Sequence, residues 1–582
     1  MGGFGKRLIR RLASPAFLLF LVFFGLEVSI GAWYALHHHF LFEDAISRVV
    51  NSYLVLYSRD PHLAAIGLIW PPLPSLLVLP ILLLKDRFPE LAAFGFSGIL
   101  VTAAFSAATV SAVYTEFRRR QASRFTGLLF AALLGLHPMV LLYGANGMSE
   151  MMFCWFLVWT VICLNRWAET QEASPLILAA FALALAFFVR YEAAVVAVAA
   201  AFAVAIRAAE QHRNGLLAFR RETAARDGGG DGPDGGRPNP ASGQPNPEAA
   251  RPDPGRTDRG RTDRGRPDRL WKRLEGTLIV ALTPFAYSAL AWILLNFMIM
   301  GDPLYFLRST YSNASQTALA QDPSLAAGMD IPGLMELVWA KSLPFLPPVL
   351  FILALRLVSG RWKRTDTFGL LALVAAIPAL QLLMLMTGSS FAWLRFFLYP
   401  LVIAAAWLPH EYGLYRSSRL KPVLLAGAAA AFLASAALTW NAMNNPDLAP
   451  DEYTALHFEG SAVHERTLSA IEVAEFLDRL IGGEPDALIL TDSFSSYEIL
   501  VKTRHPKRFV NSTDRDFASM LDASWEGVRY ILVPNPQGQA SLDAISAAFP
   551  GLYEEGYEWT RLVGQVRDRW KIYEVIGPPG GG

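Results

Sequence analysis

Apolar runs of membrane-spanning length recur from residue 15 to residue 440, and a chain built this way is committed to a lipid environment. They fall at about 15–36, 91–115, 125–143, 151–165, 174–190, 192–209, 276–298, 342–357, 368–387, 394–409 and 422–440. The charged fraction of 17% fits, against about 25% in soluble domains. A net charge of +1 supplies no basic field, so nucleic acid is not an expected partner. Cys154 and Cys163 share one apolar run and suggest neither a disulfide framework nor a metal knuckle.

Basic clusters orient the spans. Lys6, Arg7, Arg10 and Arg11, then Arg118–Arg120 with Arg124, Arg166, the loop after Arg207, Arg356 to Arg364 and Arg416 to Lys421 all belong in the cytoplasm. Eleven spans with a cytoplasmic N-terminus put every cluster there. The first span is too long for a signal peptide and lacks a small-residue cleavage site, so it reads as a retained anchor. One further apolar run, 61–84, carries Pro61, Pro71, Pro72, Pro74 and Pro80. Counting it as a span would move the Arg118–Arg120 cluster outside, so 37–90 reads as one outer, partly embedded segment. A true span there is the alternative.

This divides the chain into a transmembrane module at 1–209, a cytoplasmic loop at 210–272, a second transmembrane module at 273–440 and an outer domain at 441–582. The loop is dominated by Gly, Pro, Asp and Arg, with almost no aliphatic side chain from Asp227 to Asp268, and is expected to be disordered. Beyond Trp440, helical periodicity at 467–480 and 497–502 alternates with strand-like runs at 487–490, 529–534 and 570–576, a pattern that predicts a small α/β domain. It has no glycine-rich phosphate loop.

Glu43 and Asp44 follow the first span, on its outer side. Carboxylates at a membrane boundary are costly to dehydrate and usually have a task. Asp44 is the candidate general base, with Glu43 as helper or alternative; the competing reading makes the pair only a cap for a helix over 45–56, where carboxylates are stabilised at an N-terminus. Glu150, at the outer end of a span, could orient an acceptor, share a divalent cation with Asp44, or be a helix-start charge. Arg395, Lys85, Arg48, His62 and Arg190 are the candidate phosphate-binding cations, with Arg59 and Arg308 better read as solvated. Arg is suited to bidentate phosphate contacts, and Arg395 ranks first because an unpaired cation beside Trp393 would be costly. His37–His39 read as interfacial residues rather than a metal site. Arg190, Tyr191 and Glu192 could form an internal ion pair. Sequons stand at Asn313 and Asn511.

The pieces Phe42-Glu-Asp-Ala-Ile-Ser-Arg48, Tyr143-Gly-Ala-Asn-Gly-Met-Ser-Glu150, Arg395-Phe-Phe-Leu-Tyr-Pro400 and Ile489-Leu-Thr-Asp-Ser493 resemble the GT-C superfamily. The nearest subgroup holds protein O-mannosyltransferases and lipid A aminoarabinose transferases. The family order is often Asp-Glu where this chain has Glu43-Asp44, and the 210–272 loop is foreign to the pattern. The resemblance implies an α-helical polytopic membrane protein with an extracytoplasmic α/β domain. It implies inverting transfer of a hexosyl or pentosyl group from a polyprenyl-phosphate donor to a protein, glycan or lipid acceptor. The expected setting is a bacterial cell membrane, surrounded by its lipids, with the site facing outside. The resemblance fixes no cofactor; a divalent cation, Mg or Mn, on Asp44 and Glu150 is the option. A transporter or lipid flippase, and a non-catalytic partner-binding protein, are the rival readings. Glu27, inside the first span, favours the transporter.

Overall fold

The structure, a computed structural model, describes residues 14–227, 266–309, 311–312, 315–317, 329–484, 486–523 and 526–577. Among these residues, 7 helices are long and apolar enough to cross a membrane: Pro15–His37, Phe96–Arg119, Glu150–Thr170, Ala193–Gln211, Leu274–Met300, Thr365–Met386 and Lys421–Met443. Two bent pairs, Arg124–Gly135 with Pro138–Ala145 (67°) and Ile331–Phe345 with Pro347–Val358 (83°), raise the number to 9 if each is one span. Both second halves begin at a proline, which lacks the N–H that would continue the ladder. The remaining two expected runs become the shorter helices Ala173–Phe187 and Tyr399–Tyr415. A polytopic helical membrane protein with a small C-terminal sheet domain is therefore the observed class, with fewer full-length spans than eleven.

The proline-rich run at 61–84 forms a 3-10 turn, Leu63–Ile66, and a helix of 10 residues, Leu73–Leu82. At about 15 Å that helix is half the thickness of a hydrocarbon core. The loop expected to be disordered over 210–272 is shorter than its composition suggests. Helix Ala193–Asp227 enters it and helix Arg266–Met300 leaves it, because Ala, Leu and Arg at its edges are good helix formers. Its middle, 228–265, lies outside the described residues.

Close helix packing explains Glu27. Its carboxylate is fully buried and accepts a hydrogen bond from Ser106 Oγ at 2.5 Å. A Cβ on Gly144 would lie 2.4 Å from Glu27 Oε1, so only glycine lets these helices meet. Glu27 sits in a packed helix crossing.

At the opposite end of the spans from Glu150, ion pairs tie the helices together. Arg356, fully buried, donates from Nε to Glu411 at 3.0 Å and from Nη1 to Asp366 at 2.9 Å. His410 places one ring nitrogen 2.7 Å from Glu169 and the other 3.2 Å from Asp366. Arg120 reaches Glu169 at 2.6 Å and Glu116 at 3.2 Å, and Arg166 also pairs with Glu116.

The C-terminal domain holds a five-stranded sheet in the order β2-β1-β3-β5-β4. Strands β1 (Ile489–Leu490), β2 (Phe509–Val510) and β3 (Tyr530–Pro534) are parallel, whereas β4 (Thr560–Val566) and β5 (Trp570–Val575) form an antiparallel hairpin joined to β3. Periodicity missed β2, which is two residues long, and β4, which is half exposed. Helices Ala462–Ile481 and Ser493–Lys502 pack together, and the second lies against helix Glu43–Tyr57 of the membrane module. Tyr311, after helix Arg266–Met300 in the second membrane module, donates to Asp492 at 2.9 Å.

Removing one partner of a buried ion pair leaves the other charge stranded. Arg356→Ala is expected to destabilise the protein by about 3–5 kcal/mol, and replacing Arg356 and Glu411 together by methionine by clearly less. Melting temperatures of the purified variants in detergent check this order.

Candidate active site

Asp44 lies in the first turn of helix Glu43–Tyr57, one residue beyond Glu43. The helix-capping position belongs to Phe42, which makes no side-chain cap bond. The acidic pair are therefore first-turn charges, and tertiary partners decide where they point.

The main partner is Arg395, on the short 3-10 turn Leu394–Phe397 before helix Tyr399–Tyr415. Its side chain is 4% exposed and meets three carboxylates. Nη2 is 3.1 Å from Asp44 Oδ2, Nε is 3.3 Å from Glu150 Oε1, and Nη1 pairs with Asp451. The guanidinium carbon also sits 3.7 Å from the centre of the Trp393 ring, a cation–π contact that helps replace lost hydration. Burial opposes the charge on Arg395, but Asp451, Tyr143, Asp44 and Glu150 outweigh it and hold its pKa above the usual arginine value. Just upstream, Ala392 is held at φ +50 and is 2% exposed. A buried non-glycine residue in that region marks backbone strain next to Arg395.

Glu150 begins helix Glu150–Thr170 and is fully buried. Arg190 contacts it at 2.6 Å, pairs with Glu192 at 2.6 Å, and donates to Ser149 Oγ at 3.4 Å. The expected Arg190–Glu192 ion pair is thus present and extends to Glu150. Burial works against Arg190 as well, and Glu192, Tyr399 and Glu150 more than offset it.

Arg48 is different. It is 9% exposed, lies 5.0 Å from the Trp70 ring, and among the described residues has no salt bridge or side-chain hydrogen bond. Its Nε and Nη1 are sealed from solvent without a partner. Burial lowers its pKa, partly offset by Asp44 and Glu150. An unpaired buried guanidinium is expensive, and an anion at this position would relieve that cost.

The other expected cations lie elsewhere. Lys85 pairs with Asp86 at 2.9 Å and sits 4.1 Å from the Tyr57 ring, thirteen residues beyond Asp44 on the same helix, about 20 Å away. His62 contacts the Asp60 carbonyl at 2.7 Å, Arg59 pairs with Asp514 at 3.2 Å, and Arg308 meets Asp302 at 3.5 Å. Glu43 is bound by Arg466 of the C-terminal domain. His38 packs on Trp33, and His39 stacks on Phe94, as side chains at a membrane interface do. Asn511 is 1% exposed and bonded to Asp514, so its sequon is not presented for modification, and Asn313 lies outside the described residues.

For a divalent cation the fit is poor. The Arg395 guanidinium contacts both Asp44 and Glu150, so an ion bridging them would have to displace it. No group of three or more His, Cys, Asp or Glu side chains among the described residues is arranged to hold a metal.

Two acidic residues escaped the sequence. Asp451 and Glu452 open helix Pro450–Leu456, directly after the last span. Asp451 is 34% exposed at its side chain, close to the 31% of Asp44, and both touch the Arg395 guanidinium. Burial raises the Asp451 pKa against the pull of Arg395. Glu452 is fully buried, accepts from Tyr143 at 2.6 Å, and is pushed up to about 7 by burial and then by Asp451. Their position mirrors that of Glu43-Asp44, just past a span, and that was the readable signal.

Part of this chain is similar to a known family. Residues 90–217 match the family model described as dolichyl-phosphate-mannose-protein mannosyltransferase. That segment, about a fifth of the chain, is what is similar to a family of membrane mannosyltransferases. The matched segment contains Glu150 and Arg190, but neither Asp44 nor Arg395. A solved structure, ArnT from Cupriavidus metallidurans in the apo state, aligns with a TM-score of 0.45 and 11% identity over 96% of this chain and 98% of that one. No curated protein matches the sequence.

The folded chain holds a proton on Glu452 up to about pH 7, whereas an unfolded glutamate releases it near 4.5. More protons are bound in the native state between those values, so this group makes stability fall as pH rises from about 4.5 to 7. Glu452→Gln is expected to flatten that part of the melting-temperature profile, measured in detergent from pH 4 to 8.

Proposed function

We propose that the protein is an inverting glycosyltransferase that moves a sugar from a polyprenyl-phosphate donor to an acceptor on the outer face of a bacterial membrane. The observation that carries this reading is a part-exposed carboxylate, Asp44, fixed by Arg395 beside the unpaired, buried guanidinium of Arg48. In this arrangement Asp44 takes the proton of an acceptor hydroxyl as its oxygen attacks the anomeric carbon. The bond from that carbon to the donor phosphate breaks on the opposite face, and its electron pair leaves with the phosphate. Arg48 receives the phosphate charge, and Arg190 and Arg395, already paired with carboxylates, hold the site in shape. This narrows the phosphate role from five candidates to one principal residue. Asp451, on the same guanidinium and equally accessible, is the second candidate base.

Membranes supplied with radiolabelled polyprenyl-phosphate sugars test the reading. Asp44→Asn is expected to lower transfer by roughly 10²- to 10⁴-fold if it removes the base. Arg48→Gln is expected to impair turnover through the leaving group, while Lys85→Gln and His62→Gln retain activity. Transfer lost in Asp451→Asn and kept in Asp44→Asn would move the base. A wild type that transfers nothing from a broad donor panel would end the reading.

A further inference from the structure

Glu43 and Asp44 are neighbours in sequence but serve different parts of the molecule. Asp44 turns to Arg395 of the membrane module, whereas Glu43 turns to Arg466, on helix Ala462–Ile481 of the outer domain. The Arg466 guanidinium also donates from Nε to Glu498 at 2.8 Å, and Lys502 closes on the same carboxylate at 3.2 Å. Glu498 is 2% exposed, so Arg466 is tied to a buried anchor and has little freedom to follow Glu43. On the next turn of the Glu43–Tyr57 helix, Tyr497 of the outer domain faces Ser47, whose hydroxyl bonds the Glu43 carbonyl at 2.8 Å. Tyr497 lies near enough to Asp44 to feel its charge.

The helix start has no means of its own to hold this turn. The Phe42 side chain at the cap position offers no acceptor, so the first-turn N–H groups lack the side-chain bond that Ser, Thr, Asp or Asn would supply. What fixes the turn comes from outside, with Arg395 on one side and Arg466 with Tyr497 on the other.

We propose that Arg466 and Glu43 are positioning residues: through this pair the outer domain holds the first turn of the Glu43–Tyr57 helix, and with it the Asp44 carboxylate, in the geometry that transfer requires. The proposal rests on the glycosyltransferase reading above. It gives the outer domain a direct share in catalysis and makes Glu43 a tether rather than a base.

The test is steady-state transfer by the full-length protein in membranes, with a polyprenyl-phosphate sugar donor. Arg466→Gln and Glu43→Gln are each expected to lower kcat roughly 10- to 100-fold with donor KM little changed, the scale of a small misplacement of a reacting group. Their pH–rate profiles should keep the acidic limb that Asp44→Asn abolishes. Arg466→Lys, which keeps a cation on Glu43, should recover most of the activity. The Arg466→Gln, Glu43→Gln double variant should lose no more than either single one, because both break the same link. Arg515→Gln, which removes a peripheral contact to Asp60 at 3.7 Å, should be unaffected.

Hydrogen exchange separates positioning from misfolding. In Arg466→Gln the first-turn amides of helix Glu43–Tyr57 should exchange faster while β3 and β5 stay protected. Full kcat in both single variants, multiplied losses in the double variant, or loss of protection throughout the sheet would each overturn the positioning role. A Glu43→Gln profile that loses its acidic limb would restore Glu43 as the base. A wild type without transfer would end both the reading and this proposal, whereas active wild type with indifferent variants ends the proposal alone.

Discussion

Burying a guanidinium is costly unless carboxylates surround it, and the end of this bundle that holds Arg395 is organised by that requirement. Arg395 draws Asp44 from the first outer segment, Glu150 from the start of a central span and Asp451 from the chain after the last span. Three parts of the sequence separated by hundreds of residues converge on one planar cation. Replacing Arg395 by an apolar residue would strip all three carboxylates of this shared partner at once. The same rule makes Arg48 conspicuous, since it is buried to a similar degree without any such partner.

Much of this was legible beforehand because membrane insertion writes itself into hydropathy. Spanning runs, the change to soluble composition after Trp440 and the proline-broken stretch at 61–84 are local patterns, and each appears near its expected place. Asp44, Glu150, Arg395, Arg190 and Arg48 were legible because a charge beside an apolar run has to be explained. Lys85 and His62 met the same criterion and proved to face Asp86 and Asp60, since sequence gives proximity to a boundary but not direction around a helix.

What stayed hidden was long-range. Nothing local to Asp451 and Glu452 marks them apart from other acidic residues past a span, and their meeting with Arg395 and Tyr143 depends on how distant helices pack. The Glu43–Arg466 link joins residues 423 positions apart and follows from docking of the outer domain. Two-residue strands and a half-exposed edge strand carry too little pattern to be read. The bends at Pro138 and Pro347 divide what hydropathy counts as continuous runs.

The ion pairs at the far end also bear on how the bundle can move. Alternating access requires one group of helices to rock against another, opening each end in turn. Here Arg356, Glu411, Asp366, His410, Glu169, Arg120, Glu116 and Arg166 form a continuous chain of contacts across helices from both halves of the membrane region. Parting that end would strand several charges at once, each broken buried pair costing about 3–5 kcal/mol. The far end therefore acts as a pin that holds the helices together, and freedom to rearrange is left to the end where Arg395 and Arg48 sit.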